Sequence, residues 1–245
     1  RYTRLSITVH WLMVLRIAAV YAVIELKEDP LREEIRYLGQ LLGGVIEAQE
    51  GAEFLAFEEE VRKLSKRRRR EGVPVANLRE MIEGCDTPAL FALCRAFSIF
   101  FDLANLAEDR HRIRVLRKRE KSTEPSPRKE SIRAALKYLR EQRVEPAQLL
   151  EILDFSFIEP VFTAHPTEAK RRTVRSKLRR IRELMKALES DQLLARESKR
   201  VETEVRSELM TLWETDLLRA KRPTVLEELD RSLFFLNSLW EVVPQ

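Results

Sequence analysis

The sequence predicts a mainly α protein with one or a few short strands near Val161. Glycine is scarce, at 6 of 245 residues, whereas Asp, Glu, Lys and Arg make up 35%. A turn-rich sheet protein has the opposite balance. Apolar residues recur three and four positions apart through most of the chain, the period of a helix buried along one side. The run Val161-Phe162-Thr163-Ala164 departs from that period and reads as a short buried strand.

Composition narrows the function classes. Lys and Arg number 45 against 40 Asp and Glu, a net charge of +5. That mild excess suits an anionic substrate or a nucleic acid and identifies neither. Cys85 and Cys94 lack metal-site spacing, and two cysteines in so long a chain suit a reduced, cytoplasmic protein. His10, His111 and His165 form no metal-ligand cluster in sequence. There is no Gly-rich phosphate loop, so a nucleotide triphosphatase has no support.

Residues 1–28 stand apart. Ile7 to Leu26 is apolar enough to come near spanning a bilayer, but Arg16 lies at its middle and His10 and Glu25 interrupt it. A buried helix fits those charges better than a membrane segment. A secretory signal fits poorly for want of a small-residue cleavage pattern. A further reading is that these residues are not native to the protein.

A helical region is expected over 29–120. Pro30 stands at a good first helical position, and Leu31, Ile35, Leu38, Leu42, Val45 and Ile46 follow at helical spacing towards Glu50-Gly51. A second helix is expected to about Lys63. Lys66-Arg67-Arg68-Arg69-Arg70 is either a nucleic-acid patch or a solvated helix end whose cations suit the C-terminal dipole. No aromatic residue interleaves with it for bases to stack on, which favours the helix end. Leu90 to Arg119 is expected as a helix buried on more than one side, because Phe91, Phe97, Phe100, Phe101, Leu103 and Leu106 surround it. Asn105 is expected to hydrogen-bond a neighbouring element. His111 is expected to be structural.

Residues 121–130 read as an exposed linker, since Lys121-Ser122-Thr123-Glu124-Pro125-Ser126-Pro127 joins two prolines to small polar residues. In the region 131–245, Ile132, Leu136 and Leu139 mark one helix. Pro146 begins a short one through Leu149 and Leu150. From Thr167 a long helix is expected to about Leu194, with Val174, Leu178, Ile181, Met185 and Leu188 as its buried stripe. Arg171, Arg175, Arg179 and Arg182 line a neighbouring face. Leu233, Leu236, Leu239 and Trp240 begin another helix.

The chemistry concentrates where the strand meets that long helix. Phe162-Thr163-Ala164-His165-Pro166-Thr167-Glu168 is followed by Ala169-Lys170-Arg171-Arg172. Pro166 disfavours helical backbone at His165, and Pro166 or Thr167 can open the next helix. One imidazole is thereby held at a strand-to-helix junction, where it can move protons near neutral pH. Arg171 and Arg172 follow one or two turns on and can hold an anion beside it. A capped turn with a satisfied histidine is the plainer reading of a lone His-Pro.

These residues resemble the catalytic-histidine motif of the phosphoenolpyruvate carboxylase family, in which Thr-Ala-His-Pro-Thr is followed by paired arginines. Three further stretches resemble that family in the same order. The first is Leu38-Gly39-Gln40-Leu41-Leu42-Gly43-Gly44-Val45 with Gln49-Glu50-Gly51. The second is Arg95-Ala96-Phe97-Ser98 with Leu103-Ala104-Asn105-Leu106-Ala107-Glu108 and His111-Arg112. The third is Trp213-Glu214-Thr215-Asp216 with Arg219, Pro223-Thr224 and Trp240-Glu241-Val242-Val243-Pro244. Leu217 stands where the family has a glutamate.

The resemblance implies the N-terminal portion of a much longer, cytoplasmic and usually tetrameric enzyme. Its fold would be the helical N-terminal segment of a helix-rich α/β (TIM-like) barrel, with 131–245 as the start of the catalytic barrel region, truncated at its C-terminus. It implies carboxylation of phosphoenolpyruvate by bicarbonate to give oxaloacetate and phosphate, an anaplerotic carbon fixation. His165 matches the catalytic histidine and is expected to take the carboxyphosphate proton. Arg171, Arg172 and Arg219 are expected to bind substrate or another anion. In plant-type members the matching arginine pair is associated with an anionic activator and the subunit contact, whereas this chain is bacterial in style. Mg2+ or Mn2+ is implied because an enolate needs positive charge nearby, with its ligands outside this chain. The implied partners are phosphoenolpyruvate, bicarbonate and further subunits, with no nucleic acid and no membrane. The chain alone is expected to be inactive. Two readings from other classes stand beside this one. They are a basic helical nucleic-acid-binding protein resting on Lys66 to Arg70, and a membrane-attached helical protein resting on Ile7 to Leu26.

Overall fold

A computed structural model of the chain describes residues 30–72, 74–129, 131–157, 171–189, 193–217, 224–227, 229–230 and 233. They form helices α1 (Pro30–Glu50), α2 (Ala52–Glu71), α3 (Val75–Glu83), α4 (Thr87–Thr123), α5 (Ile132–Glu141), α6 (Pro146–Phe155), α7 (Arg172–Leu188) and α8 (Ala195–Glu214). The mainly α class is therefore the one observed, with no strand among the described residues. The strand expected near Val161 and the apolar segment Ile7 to Leu26 lie outside them. The chain divides into two compact units, Arg1–His111 with Lys170–Leu217, and Arg112–Ala169 with Leu218–Gln245.

In the first unit, α1 buries Leu31, Leu38, Leu41, Leu42, Val45 and Ile46 on one side. It stops at Gly51, whose φ of 90° is open to glycine and strained for other residues. α2 follows directly and runs to Glu71, two turns past the expected end near Lys63. Gly72 terminates it in the left-handed conformation, with its N–H donating to the Arg68 carbonyl at 3.0 Å. Arg68, Arg69 and Arg70 thus lie in a last turn, where their charges suit the helix dipole. α4 opens at Thr87, because the Asp86 carboxylate accepts the Ala89 N–H at 2.9 Å. It continues through Lys121, Ser122 and Thr123, so the stretch expected as a linker begins as helix.

α4 has two buried faces, as its sequence predicts. Ala92, Ala96, Ile99, Leu103, Leu106 and Ala107 join a core with α1, α7 and α8. Leu93 and Phe97 face a second cluster with Val61 of α2 and Leu78 and Ile82 of α3. By length and composition α4 could cross a membrane, but half of its most apolar stretch is buried inside the protein. Asn105, expected to hydrogen-bond a neighbouring element, is exposed; the buried polar side chains of α4 are Asp102 and Arg110. Position 105 turns away from both buried faces, although Leu103, Ala104, Leu106 and Ala107 around it are buried.

Arg110 ties three helices. Its Nε donates to Glu34 of α1, its Nη1 to the Arg182 carbonyl at 3.1 Å, and its Nη2 to the Met185 carbonyl at 3.0 Å and Glu189 at 2.8 Å. The Met185 carbonyl, one of the last four that α7 itself leaves open, thereby receives a donor, and the Arg182 carbonyl receives one beside its place in the helix.

α7 ends at Leu188, short of the expected Leu194. Leu194 instead precedes α8, where the Glu197 carboxylate accepts its N–H at 3.0 Å. Val174, Ile181 and Met185 are buried as expected, and Leu184 with them. α8 was not among the expected helices; it buries Val205, Leu209, Leu212 and Trp213 against α7 and α1. Lys177 to Glu208 at 2.8 Å and Arg180 to Glu204 at 3.0 Å pair α7 with α8 across that contact.

The described part of the second unit contains α5, begun by the Ser131 hydroxyl accepting the Ala134 N–H at 3.1 Å, and α6, with Pro146 in its first turn. Most of the large apolar side chains on these helices are exposed, including Ile132 at 81% and Phe155 at 84%, as is Phe157 beyond them at 83%.

Candidate functional site

The four stretches singled out in sequence are separated by up to 166 positions from Glu50 to Asp216, yet one network in the first unit takes a residue from each. It starts where α7 begins. Arg171 has extended backbone and caps α7, and Arg172 is that helix's exposed first residue. The Arg171 Nη2 donates to Asp216 Oδ2 at 3.2 Å. Asp216 lies just beyond α8, which ends with the Thr215 N–H on the Leu212 carbonyl.

The other Asp216 oxygen, Oδ1, lies 3.9 Å from the Arg95 Nη2 of α4. Arg95 is fixed more firmly than either partner. Its Nη1 donates to the Trp213 carbonyl at 2.8 Å. Its guanidinium carbon sits 4.9 Å from the Phe91 ring centroid and 5.8 Å from that of Trp213, within cation–π range of both. The indole Nε1 of Trp213 in turn donates to Glu50 Oε1 at 3.1 Å. The side chain of Arg95 is 18% exposed, that of Arg171 39% and that of Asp216 62%. A half-buried anchor therefore supports a charged group open to solvent.

Around Asp216 two guanidiniums share one carboxylate, with the exposed Arg172 adjacent in the chain, while the Glu50 carboxylate lies beyond the Trp213 indole at the other end of the network. This arrangement can attract and orient an anion. Arg171 and Arg172 thus stand together at the start of α7. His165 and Arg219 lie outside the described residues. Of the arginine row along α7, Arg182 is exposed and donates to Asp109 of α4 at 2.8 Å. Arg95 and Asp216 carry the geometry, and both occur in the stretches quoted above. Nothing in sequence pairs them, because their contact spans 121 positions.

Other chemistry is poorly provided for. Among the described residues no group of three or more His, Cys, Asp or Glu could hold a metal ion. The Asp216 carboxylate beside the start of α7 is engaged by arginines, so it does not fit the implied divalent ion. Burial pushes both the Cys85 and Cys94 thiols up, away from the nucleophilic thiolate.

A family model described as phosphoenolpyruvate carboxylase matches residues 31–245. The chain is similar to the phosphoenolpyruvate carboxylase of Roseiflexus castenholzii, at 38% identity over 224 residues, covering 89% of this chain and 24% of that protein. It is similar to that of Thermus thermophilus, at 38% over 227 residues, covering 90% of this chain and 25% of that protein. It is also similar to that of Mycobacterium leprae, at 36% over 218 residues, covering 89% and 23%. The chain spans about a quarter of the length of the curated relatives it matches. The nucleic-acid-binding and membrane-attached readings gain no support from these likenesses.

Proposed function

Because the chain belongs to the phosphoenolpyruvate carboxylase family, we propose that it supplies the N-terminal part of an enzyme carboxylating phosphoenolpyruvate with bicarbonate. The family match over residues 31–245 carries this reading. The meeting of all four stretches in one network supports it, since that network ends in the Arg171 guanidinium beside the His165 motif in sequence.

In the proposed reaction a bicarbonate oxygen attacks the substrate phosphorus. The bond from phosphorus to the enol oxygen breaks, and its electron pair leaves as the enolate. Carboxyphosphate gives its proton to His165, cleavage of its C–O bond leaves the electron pair on the phosphate oxygen and releases carbon dioxide, and the phosphate takes the proton back from the imidazolium. The enolate carbon then attacks carbon dioxide, giving oxaloacetate. Arg171, Arg172 and Arg219 would hold substrate or another anion through charge-assisted bonds. A divalent ion, Mg2+ or Mn2+, would supply positive charge from ligands elsewhere in the longer protein. A cytoplasmic tetramer, and the start of a barrel over 131–245, belong to the same proposal. The 245-residue chain alone is expected to form no oxaloacetate.

The test is His165→Asn in the full-length enzyme, with phosphate and oxaloacetate measured in the same reaction. Asparagine keeps some hydrogen bonding and loses the base. Oxaloacetate formation should fall about a hundredfold to ten-thousandfold, while bicarbonate-dependent phosphate release falls less. An equal fall in both products would mean that His165 acts before the pathways divide or holds the structure. Unchanged oxaloacetate formation would make it a turn residue.

A further inference from the structure

We propose that Arg95 is a positioning residue for Arg171, acting through the Asp216 carboxylate that lies between them. This rests on the reading of Arg171 as an anion ligand and adds a residue that the reading does not contain. Asp216 presents one oxygen to each arginine, Oδ2 to Arg171 at 3.2 Å and Oδ1 towards Arg95 at 3.9 Å. An Arg171–Asp216 pair alone would be neutral, and a neutral pair holds an anion poorly. Arg95 adds the second positive charge, so the carboxylate can orient Arg171 without cancelling it. A guanidinium giving one N–H to a carboxylate keeps four donors for other acceptors.

The geometry distinguishes the two arginines. Arg95 is anchored on the Trp213 carbonyl and lies near two aromatic rings, whereas Arg171 is the more exposed of the pair. An anchored arginine that fixes an exposed one through a shared carboxylate reduces the ordering cost of binding, because the exposed side chain is already held.

The experiment titrates inorganic phosphate into the whole 245-residue chain, following arginine Nε–H signals by NMR and helix content by circular dichroism. Arg171→Gln tests the underlying reading and should abolish the phosphate response. Arg95→Gln should weaken phosphate binding about three- to tenfold, the effect of one partly screened charge at this distance. The double variant Arg95→Gln with Asp216→Asn should return to within about threefold of the parent, since asparagine keeps an acceptor for Arg171 and removes the unbalanced charge. Rescue of this kind is not expected if Arg95 serves only to pack against Phe91 and Trp213. Should Arg95→Gln lose helix content, Arg95→Lys carries the same comparison with a loss of about twofold, because the charge stays and the fork is gone. Parent-like phosphate binding by Arg95→Gln, or no rescue by Asp216→Asn, overturns the proposal while leaving Arg171 as a ligand. An unchanged phosphate response in Arg171→Gln removes the reading and the proposal together.

Discussion

Arg110 and Glu34 lie 6% and 7% exposed at the centre of three helices, so each depends on the other. Removing one partner of a buried pair leaves the second charge without compensation, whereas replacing both with apolar groups is often tolerated. Arg110→Ala is expected to cost about 3–5 kcal/mol in urea unfolding, and Arg110→Met with Glu34→Leu markedly less. A cost for the single change no larger than for the double would contradict this. Glu58 is a different case. Burial, with the neighbouring Glu59 adding and Arg62 opposing, pushes its carboxyl up to about 7 from 4.5. The folded state then binds more protons than the unfolded state between those values, so stability falls as pH rises through that window and stays reduced above it. Glu58→Gln should therefore stabilise the chain by about 1–3 kcal/mol at pH ~8, and the gain should vanish towards pH ~4. A gain independent of pH would place its cause elsewhere. Neither residue advertises these roles in sequence, because burial of a charged side chain depends on what packs over it.

At the scale of elements, α8 shows which contacts hold the first unit. Val205, Leu209 and Leu212 are fully covered, and Leu209→Ala should cost about 2–5 kcal/mol through lost transfer energy and the cavity left behind. The Arg180 to Glu204 pair on the same interface is half exposed on the arginine side, and its loss should cost under about 1 kcal/mol. Urea midpoints of Leu209→Ala and Arg180→Ala, compared in one buffer, check the ordering. Gly72 is the third element-level site. Its φ of 69° ends α2, and Gly72→Ala should cost about 1 kcal/mol. Glycine at that position closes a helix whose cationic last turn suits a C-terminal end.

At the scale of the whole molecule, the two units differ in how they treat apolar surface. The first encloses two clusters, whereas α5 and α6 of the second leave Ile132, Leu150, Leu153 and Phe155 open to solvent, as is Phe157 just beyond α6. Exposed apolar groups in such numbers mark surface that a larger assembly covers. In the proposed full-length enzyme the rest of the chain would do so. The 245-residue chain should therefore bind a dye sensitive to apolar surface, and replacing Phe155 and Phe157 with serine should reduce the fluorescence. An unaltered signal would mean that the dye reads another surface.

α1, α4 and the stripe of α7 are legible in sequence because a helix buried along fixed faces must repeat its apolar residues at its own period. The family is legible too, since its four stretches are local strings that need no folding to be recognised. Helix ends are less so. α2 passes Lys63 and α7 stops before Leu194, where Gly72 and the capping of α8 by Glu197 decide the boundary. The site network lies furthest from the sequence. Glu50 meets Trp213, and Arg95 and Arg171 meet at Asp216, only when α1, α4, α7 and α8 share one core. No periodicity records which charged side chains meet across that core, because such contacts follow from packing distances and not from spacing along the chain.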